Sequence, residues 1–145
     1  MWKLLKASFR GIHTMPNLYI AVKRLNGTTL IEAEICRDWA PLNYEILSAI
    51  LPAKARAYTL DSYAVYFTLG VRVLLEDLYV SAKPGDVLVI PYTNSIAVVL
   101  NDVEKLRFKS TLVGKAYGNL EALKTVRKGE PVIVDRIARI SAQVR

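Results

Sequence analysis

The residue types that most often carry chemistry are scarce in this chain. It has one cysteine, Cys36, and one histidine, His13. A Cys/His zinc centre within one chain needs about four such ligands and is excluded. An internal disulfide is excluded as well. A Ser-His-Asp set would have to recruit His13, which lies outside the folded body outlined below. Cys36 closes a strand and reads as packing rather than as a nucleophile. The segment GNLEALKT, 118–125, has the length of a phosphate-binding loop. Leu123 stands where that loop requires its second glycine, and the segment reads as helical, so this chemistry is rejected. Glu76-Asp77 is a single acidic step in a connection and reads as a solvated turn. No cofactor and no metal is implied.

What remains are polar and aromatic residues in two separate segments. Arg56 and Tyr58 alternate with alanines along AKARAYTL, 53–60. Tyr92, Asn94 and Ser95 follow Pro91 in a loop. Aromatic bodies with polar tips suit an extended peptide or a small organic ligand. The competing reading is that the tyrosines simply cover the protein and that Arg56 is an exposed strand arginine.

The elements that must position these residues are mostly β. NLYIAVKR (17–24) and TLIEAEIC (29–36) alternate around a turn containing Asn26-Gly27, a strong hairpin signal. Glu32, Glu34, Leu30 and Cys36 share one side of the second strand, and that side is expected to face water along most of its length. Pro41 suits the first turn of a helix carrying Tyr44, Leu47 and Leu51 at helical spacing, and Pro52 blocks its continuation. AKARAYTL (53–60) and YAVYFTL (63–69) form a second hairpin around Asp61-Ser62. VLVIPY (87–92) and SIAVVLN (95–101) form a third. Their unbroken apolar character implies burial on both faces or tight curvature. DVEKLRFK (102–109) is a charged connection. STLVGKAYG (110–118) is a strand, NLEALKTV (119–126) a short helix with Asn119 as N-cap, and EPVIVDRI (130–137) the last strand.

At 145 residues and 52% apolar content the chain is one domain with material for a sizeable core. No apolar run reaches the ~18 residues of a membrane span. Nothing requires an oxidising compartment, so the cytoplasm is the expected location. One glutamine and one cysteine point to a thermophilic source. The net charge is +7. Lys3, Lys6 and Arg10 in residues 1–14, and Arg136, Arg139 and Arg145 in 136–145, with no acid in either end, account for all but one of those charges. The distribution argues against a nucleic-acid surface on the folded body. Binding to an anionic partner would run through the basic ends and would be salt-sensitive. The expected organisation is a basic extension at 1–14, a folded body at 15–137 and a basic tail at 138–145. Trp2, Leu5, Phe9 and Ile12 recur at helical spacing. The extension therefore reads as a segment packed on the domain, as residues ahead of a start at Met15, or as a basic amphipathic helix for a membrane surface or partner.

Several motifs, in order, resemble the cyclophilins. These are the Ala40-Pro41 helix start, the strand ending in Gly114-Lys115, and Gly118 running into a short helix. The pattern is more similar still to the compact prokaryotic cyclophilin-like domains: Leu51-Pro52 after the first helix, a hairpin with Tyr66-Phe67, Gly85-Asp86 opening an apolar strand that ends at Pro91, then Val113-Gly114-Lys115. The resemblance spans about 15–137. It implies a mainly β fold: a closed eight-stranded barrel with two short helices and a ligand groove on the outer wall, formed by Arg56, Tyr58, Tyr92, Asn94 and Ser95. It also implies that Gly114 and Gly118 serve the bend at the barrel rim and the approach of the helix.

Prolyl isomerisation, the activity of cyclophilins, must lower a barrier of ~18–20 kcal/mol set by the partial double bond. A donor aimed at the prolyl nitrogen and an apolar pocket for the ring are required. Arg56 is the candidate donor. The family's Gln-Phe-Phe segment falls at Ile96, Ala97 and Val98, which supply neither amide nor rings. No tryptophan or histidine follows Trp39. The hairpin tip that should carry an aromatic residue and a methionine reads Leu60-Asp61-Ser62-Tyr63. The expectation is therefore a non-catalytic peptide or small-molecule binding module. A divergent peptidyl-prolyl isomerase and a module acting through its basic ends are the alternatives.

Overall fold

In the computed structural model, residues 17–141 are described. The basic extension 1–14 and residues 142–145 of the tail lie outside them. Eight strands close into one antiparallel barrel. They are β1 (Leu18–Arg24), β2 (Thr29–Ile35), β3 (Ala53–Leu60), β4 (Ala64–Thr68), β5 (Asp86–Ile90), β6 (Ser95–Val99), β7 (Thr111–Tyr117) and β8 (Glu130–Ile137). Around the barrel they run β1, β2, β7, β5, β6, β4, β3, β8 and back to β1. Closure leaves no free sheet edge. Among the described residues, one α-helix, α1 (Pro41–Ile50), and a 3-10 helix, Leu120–Thr125, accompany the barrel.

The barrel interior follows from strand alternation. Val65 and Phe67 on β4, Val87 and Val89 on β5, and Ile96 and Val98 on β6 all join one core cluster. Leu47 of α1 and Leu123 of the 3-10 helix join the same cluster at 0% exposure. Burying each such side chain contributes about 1.5–3 kcal/mol. Asn119 caps the 3-10 helix, its side-chain oxygen accepting from the Glu121 N–H.

The outer wall over β5 and β6 is also buried, and the reason is a cover of chain. Leu88, Ile90, Ala97 and Val99 point outward, yet all are nearly inaccessible. Val103 and Leu106, from the connection before β7, pack on them in two small clusters, and Phe108 joins the one around Ile90 and Ala97. Tyr63 anchors this connection. Its carbonyl accepts from the backbone N–H groups of Leu100 and Asn101, and its hydroxyl accepts from the N–H of Arg107 at 3.4 Å.

Two sequence readings are corrected. Glu76 is not part of a solvated turn. Its carboxylate accepts from the N–H groups of Leu42 and Asn43, at 3.0 and 2.8 Å, and from the Asn43 side chain at 2.7 Å. It supplies the cap that Ala40, at the N-cap of α1, cannot. The acid-bearing side of β2 is not open to water along most of its length. Glu32 is buried, and its carboxylate accepts from the N–H of Ser141 at 2.7 Å and from the Ser141 hydroxyl. Glu34 accepts from the Asn17 side chain and the Tyr117 hydroxyl. These partners come from the two ends of the described chain and from β7, which a single-strand pattern does not register.

Gly114 has a different role from the one expected. It faces Ile35 across the β2–β7 ladder. A Cβ there would lie 2.0 Å from the Glu34 carbonyl oxygen. The position serves strand-to-strand approach, not approach of the helix. Gly118 does adopt a left-handed conformation, at φ 116°, where β7 turns into the 3-10 helix.

Candidate functional site

Tyr66 sits on the outer face of β4, directly opposite Tyr58 of β3. The two rings stack at 5.4 Å between centroids. Beyond them a depression of about 340 Å³ opens between the tip of the β3–β4 hairpin and the β5–β6 turn. Tyr66, Thr59, Tyr92, Thr93, Arg107 and Phe108 line most of it, and Leu60 and Ile90 add apolar surface.

Three local devices shape its rim. Pro91 to Asn94 form a tight turn, with the Asn94 N–H donating to the Pro91 carbonyl and Asn94 at φ 49°. This turn projects Tyr92, which is 78% exposed. Tyr92 stacks on Phe108 at 4.9 Å with the ring planes only 8° apart. The Arg107 guanidinium lies 5.1 Å from the Phe108 ring centroid and donates to Asp61 at 3.1 Å. Asp61, at the hairpin tip, has φ 51°, a conformation that aspartate tolerates better than most residues. The only acid among the described residues lining the depression is therefore already paired with an adjacent cation.

The expected groove residues divide. Tyr92 lines the depression, and Tyr58 supports its edge through Tyr66. Asn94 is scaffold: its side-chain oxygen accepts from the Val73 N–H and its carbonyl from the Leu69 N–H. Ser95 is fully buried, and its hydroxyl is bonded to that of Thr93, which does line the depression. Arg56 is elsewhere. Its guanidinium donates to the Gly129 carbonyl at 2.8 Å, toward the turn before β8. It lines a second depression of about 570 Å³ with Lys54, Thr68, Gly70, Leu25 and Pro131.

Phe108, Arg107, Asp61 and Tyr66 are not among the groove residues expected from sequence. Tyr66 was legible, because strand alternation puts it opposite Tyr58. Phe108 is a lone ring in the charged connection DVEKLRFK, and that isolation was the only signal for it. Nothing in the local pattern placed it against Tyr92.

Reactive groups are held quiet. Burial pushes the Cys36 thiol up to about 11, with Glu34 adding to the effect. Burial also raises the hydroxyl of Tyr63 above its ordinary range. Among the described residues no group of three or more His, Cys, Asp or Glu could hold a metal ion. No helix among them is long and apolar enough to cross a membrane. The arrangement offers apolar contact, ring faces and a few hydrogen-bonding groups at one concave surface.

No protein-family profile and no curated protein matches this chain. Among solved structures it is similar to the solution structure of the hypothetical protein AF2241 from Archaeoglobus fulgidus. The match has a TM-score of 0.68 at 23% identity and covers 83% of this chain and 95% of that one. At that identity the two proteins share a fold.

Proposed function

We propose that this chain is a cyclophilin-like binding module that takes an extended peptide or a small organic ligand without catalysis. The observation that carries this reading is the exposed, pre-positioned ring of Tyr92. It is 78% exposed yet held parallel to Phe108 beside a concave, partly apolar surface. A large ring kept in water in one orientation forgoes burial energy, and ligand contact is the purpose that such an arrangement fits. Arg56 supports the non-catalytic half of the reading. A donor for prolyl isomerisation has to face the pocket that grips the ring, and Arg56 instead serves a carbonyl in the turn before β8. Where the cyclophilin resemblance calls for rings on β6, Ala97 is roofed by the connection carrying Leu106 and Phe108. A cytoplasmic location and a thermophilic source fit the chain's single cysteine and glutamine.

Two assays on the same proline-containing peptides test the proposal. Equilibrium binding should be measurable for the wild type and weakened roughly tenfold by Tyr92→Ala, as for an aromatic contact at a small site. Isomerisation takes tens of seconds or more when uncatalysed, so even modest acceleration is visible. None is expected. Acceleration that falls with Arg56→Ala would overturn the non-catalytic reading, and binding indifferent to Tyr92→Ala would overturn the site.

A further inference from the structure

The net charge of the folded body conceals a spatial separation. The depression that holds Arg56 also holds Lys54, and no acid among the described residues lines it. Arg56 makes its bond to a carbonyl, so its charge has no counter-ion there. A neighbouring depression of about 530 Å³ shares Leu25 and Pro131 with it and adds Arg24, Arg127 and Glu130. Glu130 is the only acid among the described residues in either, and it is already taken. It accepts from the Arg127 N–H at 3.0 Å and from the Arg24 guanidinium at 2.8 Å. The Arg127 bond first, and Arg24 after it, hold its carboxyl below the usual carboxylate range. Four cations therefore face one neutralised acid. Asp38, Glu45, Glu76 and Asp77, in α1 and the segments beside it in sequence or bonded to its start, line neither depression.

The basic wall and the aromatic depression lie on one strand. Lys54, Ala55 and Arg56 of β3 line the first, and Thr59 and Leu60 of the same strand line the second. Thr59 lies three positions beyond Arg56, which is about 10 Å of extended chain. Tyr58, stacked on Tyr66, bridges the gap. We infer that the ligand is an extended acidic peptide, seated by an apolar or aromatic side chain in the Tyr66–Tyr92–Phe108 depression and by carboxylates against Arg56 and Lys54. The inference rests on the binding reading above and adds the charge and direction of the ligand.

A single-stranded nucleic acid is the competing anion, and the rings argue against it. Base stacking needs free ring faces in series. Here Tyr58 and Tyr66 already stack on each other, and Phe108 lies against Tyr92 and near Arg107. Leu25 is 65% exposed where the two basic depressions meet, and it suits an aliphatic side chain between carboxylates.

The test uses the full chain and three fluorescein-labelled ten-residue peptides with one shared aromatic and aliphatic set. Their remaining positions are all Glu, all Gln or all Lys. A labelled oligothymidylate of matched length is the fourth probe. The Glu peptide should bind roughly tenfold tighter than the Gln peptide, weaken as salt rises, and lose that advantage in Lys54→Ala/Arg56→Ala. Circular dichroism verifies that the double variant is folded. Equal binding of the Glu and Gln peptides, both weakened by Tyr92→Ala, would overturn the charge assignment and leave the aromatic site standing. A Glu-peptide preference that survives the double variant would overturn the inference by moving the contact to other cations. Tighter binding of the oligothymidylate would overturn the peptide assignment. No binding by any probe would sink both readings together.

Discussion

The guanidinium of Arg56 donates to the carbonyl oxygen of Gly129 at 2.8 Å. That bond crosses from β3 to the turn before β8, where Gly129 itself requires a φ of 76°. It holds the arginine outside the depression lined by Tyr66 and Tyr92, in one that no acid lines among the described residues. The same side chain that the cyclophilin resemblance marks as a catalytic donor is thereby placed for recognition of an anion.

Glu76 caps α1 from a distance of more than thirty residues in sequence. Glu76→Ala removes the acceptor for two backbone N–H groups and the Asn43 side chain. The expected loss is about 2 kcal/mol in urea denaturation, at the upper end for a helix cap because the buried Asn43 amide also loses one partner, keeping only its bonds with Leu74. Glu76→Gln should recover part of it. A loss near zero would mean that water replaces the cap.

Gly114→Ala should be far more damaging. The new Cβ would meet the Glu34 carbonyl oxygen at 2.0 Å, inside the β2–β7 ladder, where neither backbone can retreat without breaking pairing. A loss of about 3 kcal/mol or more is expected, or failure to fold. Gly27→Ala is the control. Its φ of 93° is strained for alanine, but no atom lies within 4 Å of the new Cβ. Its cost should be about 1 kcal/mol.

Cys36 should react slowly. With its thiol raised from 9.0 to about 11, the thiolate fraction at pH 8 is roughly a hundredfold below that of an unperturbed thiol. The sign fixes the profile: the rate with an aromatic disulfide reagent should climb tenfold per pH unit from pH 8 toward 11. A plateau below pH 9 would show that the thiol is not held protonated.

The strands were legible because they are local signals, while their closure into a barrel was implied only by the cyclophilin-like resemblance. Asn26-Gly27 and Asp61-Ser62 mark two hairpins by turn chemistry, and the apolar runs 87–92 and 95–101 announce burial on both faces. The cover that buries the second face was not legible. Val103, Leu106 and Phe108 sit among Asp102, Glu104, Lys105, Arg107 and Lys109, and a window average reads the whole as charged connection. The site suffered for the same reason. Tyr92 and Tyr58 were named from their own loops and strands, while Phe108 and Arg107 join them only through tertiary contact. Asn94 and Ser95 do not line the depression, and the sequence could not show this because a polar residue in or after a tight turn looks the same whether it faces a ligand or bonds within the protein. The basic wall escaped because Lys54, Arg56, Arg24 and Arg127 come from separate elements, and their sum is cancelled by acids elsewhere.

The most direct test of the central claim is a backbone and side-chain chemical-shift map of the full chain titrated with the acidic ten-residue peptide. Shifts centred on Thr59, Tyr66, Tyr92, Thr93 and Phe108, and extending along β3 to Arg56, are the expected result. Shifts confined to the ends 1–14 and 138–145, or centred on α1 with the aromatic depression silent, would contradict the account.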